Sequence, residues 1–247
     1  MLVTASPLDG TRMAHDRNGA AAKAMQDMMD EATDTVGEQA FRKIRGDIIG
    51  GSLRPGQKLK LEQLKSKYGV SVSTLREILN RLTTEDLVVA EGQRGFEVSP
   101  ASVANLREVG DLRLVLENHA LALSFAAGDL DWEADVVAAH HKLTAIEKAL
   151  LAGATDRTYE WIKYDFAFHH ALISACGSKS LLALHQSIFD RFMRYHLLAA
   201  SFRGDGVSED HQELFRLALA RDVAGAQAKL SSHIHLGIDH ILTTGRL

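Results

Sequence analysis

The apolar positions of the chain fall into two regimes. From Val36 to Ile49, the residues Val36, Ala40, Phe41, Ile44 and Ile48 recur every three or four positions, the spacing of one helical face, and Gly50-Gly51 stops the run. Leu61, Leu64 and Tyr68 predict a short second helix ending at Gly69. Ser71 or Ser73 caps a third, which runs to about Thr84 with Leu75, Ile78, Leu79 and Leu82 on its inner face. Two β-prone runs, Val88-Val89-Ala90 and Phe96-Glu97-Val98, flank Glu91-Gly92-Gln93-Arg94-Gly95 and predict a two-stranded hairpin, which Pro100 closes. Three helices and a hairpin in this order make a winged helix-turn-helix. Beyond Ala101 every segment has helical period, with breaks near Gly128-Asp129, residues 153–156, Gly177-Ser178, residues 204–208 and Arg221-Asp222. That pattern predicts an all-α bundle of six or seven helices joined by short loops.

The expected fold class is therefore mainly α, in three parts. Residues 1–35 lack a sustained period and are expected to be a mobile tail, with some helix near residues 20–29. Residues 36–100 form the winged helix-turn-helix, and residues 101–247 an all-helical domain.

Composition narrows the class without deciding it. Of 247 residues, 46% are hydrophobic and 24% charged, as in a soluble globular protein. No stretch reaches the roughly 18 apolar residues of a membrane span, and no basic, then apolar leader opens the chain, so a cytoplasmic protein is expected. The single Cys176 rules out an internal disulfide and a cysteine zinc site, and reads as a small buried residue. The net charge of −4 is unevenly spread: residues 36–100 hold 11 Lys and Arg against 8 Asp and Glu, and residues 101–247 hold 14 against 18. A basic segment beside an acidic one suits a nucleic-acid module joined to a module of another kind.

The third helix has the division of labour that DNA reading requires. Ser71, Ser73, Thr74 and Arg76 lie at its start and Asn80 a turn later, polar groups able to reach phosphates and base edges, while the aliphatic residues form its back. Lys58, Lys60, Lys65, Lys67 and Arg94 add phosphate-binding charge. The competing reading is a winged helix that docks another protein, with the lysines as a solvated face.

In the helical half the informative residues are polar ones inside apolar stripes. Asp165 and His169 share a face with Ile162, Phe166, Ile173 and Cys176; His211 precedes Leu214 and Ala218; His233 lies in line with Ala226, Leu230, Gly237 and Ile241. A lone buried histidine is most often bonded to a carboxylate. A carboxylate and three imidazoles turned inward together are costly unless paired or metal-bound, and one oxygen with three nitrogens suits a divalent ion: zinc first, with nickel, manganese or iron as alternatives. His170 and His235 fall off these stripes and His140 with His141 reads as an ordinary helix pair, while His240 is expected at the pocket.

Leu53-Arg54-Pro55-Gly56-Gln57-Lys58-Leu59, Gly69-Val70-Ser71, Leu75-Arg76-Glu77-Ile78-Leu79, Leu87-Val88 and Arg94-Gly95-Phe96-Glu97-Val98 resemble the GntR family of winged-helix repressors. The resemblance implies DNA contacts for Arg76 and for Arg94 and Gly95 of the wing. Val72 stands where the family has arginine and Glu62 where many members have a basic residue, so the operator sequence does not carry over. Asp111-Leu112-Arg113-Leu114-Val115-Leu116-Glu117, Asp165-Phe166-Ala167-Phe168-His169, Glu209-Asp210-His211 and His233-Ile234 resemble the FCD ligand-binding domain of the FadR subgroup. That likeness implies a metal on Asp165, His169, His211 and His233, and an effector carboxylate on Arg113, whose alternative role is a surface ion pair with Glu117 at i+4. The loop Gly177-Ser178-Lys179-Ser180 departs from the family form.

The expected protein is a homodimeric, non-enzymatic transcription regulator, a repressor by family default. Its partners are double-stranded operator DNA and a small organic or sugar acid bound at the metal. Two rivals from other classes are a metalloenzyme using open coordination positions, and a protein-interaction module with a structural metal.

Overall fold

A computed structural model describes residues 35–92, 95–154, 157–199 and 202–246. The expected tail, apart from Thr35, and Arg94 of the wing lie outside the described residues.

Helix α1 (Val36–Ile49) starts where the Thr35 hydroxyl accepts a hydrogen bond from the Glu38 amide, satisfying one of the free amides of its first turn. Helix α2 (Leu61–Tyr68) ends at Gly69, whose φ of 70° is the left-handed conformation that glycine adopts without strain. Helix α3 (Val72–Thr84) is capped by Ser71, which accepts from the Thr74 amide at 3.1 Å, so Ser71 and not Ser73 is the cap. Strands β2 (Val88–Ala90) and β3 (Phe96–Val98) pair antiparallel as expected, but β1 (Lys58–Leu59) joins the other side of β3, with Lys58 opposite Glu97. The sheet therefore has three strands in the order β1-β3-β2 instead of two. Two residues are too few for a period-2 signal to register in the sequence.

The inner faces of these elements build one core, in which Ile44, Ile48, Leu75, Leu79, Leu82 and Leu87 are fully buried. Leu79→Ala removes three carbons from its centre and is expected to cost about 2–5 kcal/mol. Urea denaturation followed by circular dichroism checks this; a loss below about 1 kcal/mol would mean that the α1–α3 packing is not tight.

Among the described residues six helices follow: α4 (Val103–Ala127), α5 (Leu130–Leu151), α6 (Thr158–Ile173), α7 (Lys179–Ala199), α8 (Asp205–Leu219) and α9 (Val223–Thr243). Helix α8 begins earlier than the glycine and serine signals suggested, directly after Gly204. These helices enclose a second core, with Phe168, Phe189 and Phe192 at its centre and Cys176 buried and free at its edge. At Gly110 of α4 a Cβ would lie 2.7 Å from Ile238 Cδ1, so the missing side chain lets α4 and α9 approach closely.

Helix α7 ties the two cores together. Its Asp190 accepts from Arg45 of α1 (2.6 Å), its Arg191 donates to Asp86 (2.8 Å), and its Arg194 donates to the Ser99 carbonyl. Tyr195 donates to Asn105 of α4 at 2.8 Å. No helix among the described residues is long and apolar enough to cross a membrane.

Candidate metal centre and recognition helix

Helical spacing fixes which side chains turn inward, and the fold brings four of them together. Asp165 and His169 sit one turn apart on α6, His211 comes from α8 and His233 from α9; all four are buried, with ligating atoms within 4.8 Å of one another. The ring centroids of His211 and His233 are 4.8 Å apart, and those of His169 and His233 5.2 Å.

Each imidazole is held by a carboxylate on the side away from the cluster. His169 Nδ1 donates to Glu117 Oε2 (3.0 Å) and His211 Nδ1 to Glu147 Oε1 (2.6 Å), while His233 Nδ1 lies 3.4 Å from Asp210 Oδ2. This is the carboxylate–histidine arrangement that fixes ring orientation in metal sites and leaves Nε2 for the ion. His169 Nε2 and His211 Nε2 are buried without a hydrogen-bond partner among the described residues. The latter is 3.1 Å from Asp165 Oδ1, within ion-pair distance but poorly aligned for a hydrogen bond. Orphaned nitrogens in a buried site are costly, and a divalent cation between them and Asp165 satisfies both.

The electrostatics fit a cationic occupant. Burial drives the pKa of His233 down to about 3, and also lowers that of His169, keeping both rings neutral and able to ligate. For His211 burial is outweighed by Asp165 and Glu147, which raise it to about 9, so without a cation this ring carries the positive charge that the two carboxylates require.

Beside the cluster lies a cavity of about 20 Å³, room for a water or an ion, lined in part by Arg113, Trp161, Asp165, His196, Arg203 and His233. Arg113 is fully buried and donates from Nε to Glu117 Oε1 at 2.6 Å, so its ion pair with Glu117 is a core feature and not the surface pair considered from the sequence. The same Glu117 oxygen accepts from His185 Nε2 at 2.9 Å. One carboxylate thus holds both Arg113 and His169. Arg203 donates to Asp210, which also accepts from Lys229 at 2.8 Å. His240 is half-buried and is not among the residues lining the cavity; His196 of α7 occupies that wall. His140, read from the sequence as half of an ordinary helix pair with His141, is buried and stacked on Phe215 with ring centroids 4.2 Å apart. A cleft of about 980 Å³ between α1, α2 and Tyr159 is wide open and remote from this chemistry.

Sequence reasoning missed Glu147, Asp210, His196 and Trp161. The signal was present: Glu147 lies in the stripe of Leu143, Ile146 and Leu150, and His196 in that of Phe189, Phe192 and Ala199.

In the other half, Ser73, Arg76 and Asn80 share an exposed face of α3. The Ser71 hydroxyl sits 2.7 Å from that of Ser73 and 2.9 Å from that of Thr74, forming a hydroxyl cluster at the helix start. Arg81 lies outside this face, stacked 3.7 Å over the Phe41 ring and paired with Glu38. Gly95 has a φ of 97°, which lets the chain turn into β3.

Comparison with known proteins agrees with both halves. Residues 36–98 match the bacterial regulatory proteins of the gntR family, and residues 108–236 match the FCD domain. The chain is 35% identical over 212 residues to the HTH-type transcriptional regulator BphR of Paraburkholderia xenovorans LB400, covering 85% of this chain and 86% of that protein. It is 34% identical over 201 residues to the HTH-type transcriptional repressor GlaR of Escherichia coli K12, covering 78% and 90%. Among solved structures, Escherichia coli McbR/YncC superposes with a TM-score of 0.69 at 20% identity, covering 85% of this chain and 99% of that one. A GntR regulator from Rhodococcus sp. RHA1 gives the same score at 23% identity, covering 84% and 97%, and both show the shared fold. The relatives are transcription regulators and not enzymes, and this chain belongs to the GntR family of DNA-binding transcription regulators, with an FCD domain after its winged helix.

Proposed function

We propose that this regulator is a homodimeric repressor whose grip on a pseudo-palindromic operator is set by a small carboxylic acid held at a metal ion. The observation that carries the reading is the set of three inward histidines, each backed by a carboxylate, beside the buried Arg113. Asp165, His169, His211 and His233 hold the ion, for which zinc is the first candidate, and one oxygen with three nitrogens leaves further positions for a ligand carboxylate. Arg113 supplies the second contact to that carboxylate.

Ligand control requires that the acid favour one arrangement of the two halves over another. Helix α7 gives a physical route. Phe192, Met193 and His196 line the cavity, while Asp190, Arg191 and Arg194 of the same helix hold the winged helix through Arg45, Asp86 and Ser99. A shift of α7 that makes room for the acid loosens those contacts. The test is a zinc titration followed by a thermal-shift screen of organic acids: ligands of the folded state raise its melting temperature. A full-length protein whose melting responds neither to zinc nor to any acid in its presence contradicts the reading.

On the DNA side, Ser71, Ser73, Thr74, Arg76, Asn80, Gly95 and Arg94 form the contact surface. Arg76→Ala is expected to weaken operator binding by about 1–3 kcal/mol and to relax discrimination at one base pair. Lys65→Ala is expected to weaken all DNA alike and to lower the salt slope by about one. Fluorescence anisotropy on DNA upstream of the gene, across a salt series, separates these effects; an Arg76→Ala variant with unchanged sequence preference would remove that residue from base readout.

A further inference from the structure

A cavity of about 320 Å³ lies at the junction of the two halves, walled by α1 on one side and by α6 and α7 on the other. Small-molecule sites occupy about 300–1,000 Å³, are mostly apolar with a few placed polar groups, and favour domain junctions. Helical spacing builds both facing walls. On α1 the residues Arg42, Arg45, Gly46 and Ile49 fall at i, i+3, i+4 and i+7, and on α6 Tyr159, Ile162, Lys163 and Phe166 repeat the same spacing.

Gly46 is the residue of this wall that the fold itself does not explain. Glycine is the poorest helix former after proline, yet this one sits in the interior of α1. Close packing does not require it: a Cβ at Gly46 would meet no atom within 4 Å, whereas one at Gly110 would collide with Ile238. The missing side chain instead leaves the space between α1 and α6 open. Gly46, Arg42 and Tyr159 also border the wide cleft beside α2, so the cavity is reached from solvent past Gly46.

The chemistry of the walls selects an occupant. Ile49, Ile162, Phe166 and Leu197 supply apolar surface, and Phe166 is braced edge to face on Phe189 with centroids 5.0 Å apart. Arg45 is committed to Glu85 and Asp190 at 2.6 Å each, which neutralises the one carboxylate of the lining. Lys163 is exposed and makes no ion pair among the described residues, its ammonium lying 5.9 Å from the Tyr164 ring centroid. Arg42 adds a second exposed cation on the α1 side.

We infer that this junction cavity is a binding site for a small amphiphilic carboxylate, whose apolar body lies against Ile49, Ile162 and Phe166 and whose charged end meets Lys163 and Arg42. The inference is independent of the metal reading, because none of Asp165, His169, His211 and His233 lines this cavity.

Isothermal titration of the full-length protein with octanoate, octylamine and acetate tests this, with zinc present and again after chelation. Octanoate is expected to bind equally in both states and about 30-fold or more tighter than acetate, because its buried methylenes carry most of the contact. It should also bind tighter than octylamine, whose cationic end meets Lys163. Gly46→Leu fills the opening and is expected to weaken octanoate binding about tenfold or more while raising the melting temperature, since leucine is the better helix former. Lys163→Met keeps an apolar stem without the charge and is expected to weaken octanoate about threefold and to narrow its advantage over octylamine. Lys163 is exposed, so this variant decides alone if Gly46→Leu does not fold. Octanoate binding that disappears on chelation places the acid at the metal cluster and overturns the junction site. Binding unchanged in both variants, octylamine binding as tightly as octanoate, or no octanoate binding at all overturns it equally.

Discussion

His211→Ala is expected to lower zinc affinity at least 100-fold. The side chain supplies one of four proposed ligands, and its Nδ1 is held by Glu147 at 2.6 Å, so the ring is already oriented before an ion arrives. At a zinc concentration of 100 times the wild-type dissociation constant, zinc stabilises the wild-type fold by about 2.7 kcal/mol; with a 100-fold weaker site the same concentration contributes about 0.4 kcal/mol. The zinc-induced rise in melting temperature should therefore nearly vanish. Because alanine also leaves the buried Glu147 without its partner, His211→Gln, whose amide can still donate to Glu147, separates metal loss from misfolding. Glu147→Gln keeps all four ligands and is expected to lose about 10–100-fold in affinity through orientation alone. His235→Ala, exposed on the outer side of α9, is the control and should bind as the wild type does. Wild-type affinity in both His211 variants would break the proposed four-ligand set.

How far such a site can be read in advance depends on what periodicity encodes. A stripe of apolar residues tells which face of a helix turns inward, and by that rule Asp165, His169, His211 and His233 were recognisable as inward polar residues. It does not tell which inward residues meet across helices. The same rule applied to carboxylates would have picked out Glu147, which sits among Leu143, Ile146 and Leu150. Glu117 was visible only as the i+4 partner of Arg113, because its bond to His169, 52 residues away, depends on how α4 packs on α6. His240 and His196 show the complementary error: His196 is on the inner face of α7 with Phe192 and Met193 and lines the cavity, whereas His240 is only half-buried on α9 and does not. In the winged helix, caps and turns follow local chemistry and were legible at Gly69 and in the α3 run. Strand β1 was not, since two residues carry no period and its pairing with β3 is made by the tertiary fold.

Arg113→Met is expected to cost the metal-free protein about 3–5 kcal/mol, the largest stability effect of any single change at the site, because it strips the nearest positive charge from a buried carboxylate. Glu117 is fully enclosed, and burial opposes its ionisation; what outweighs burial and holds its pKa well below the usual carboxylate range is first the charge of Arg113, then the hydrogen bonds that His169 and His185 donate to it. Methionine fills much of the arginine's volume without its charge, so the loss reports electrostatics more than packing. If the pair acts as a unit, Glu117→Met will also destabilise by several kcal/mol, leaving Arg113 unpaired, and the double variant will cost less than the two single changes together by about 2 kcal/mol or more. Urea denaturation of all four proteins in the presence of a chelator measures the cycle. Strict additivity would mean that His169 and His185 suffice to hold Glu117, and that Arg113 is kept in the core for the ligand alone. A large coupling would mean that the same arginine proposed to meet the effector also braces the carboxylate behind His169, so that drawing Arg113 toward an incoming acid alters the support of a metal ligand. The metal and the acid would then bind with linked affinities, as an effector site built around one shared carboxylate requires.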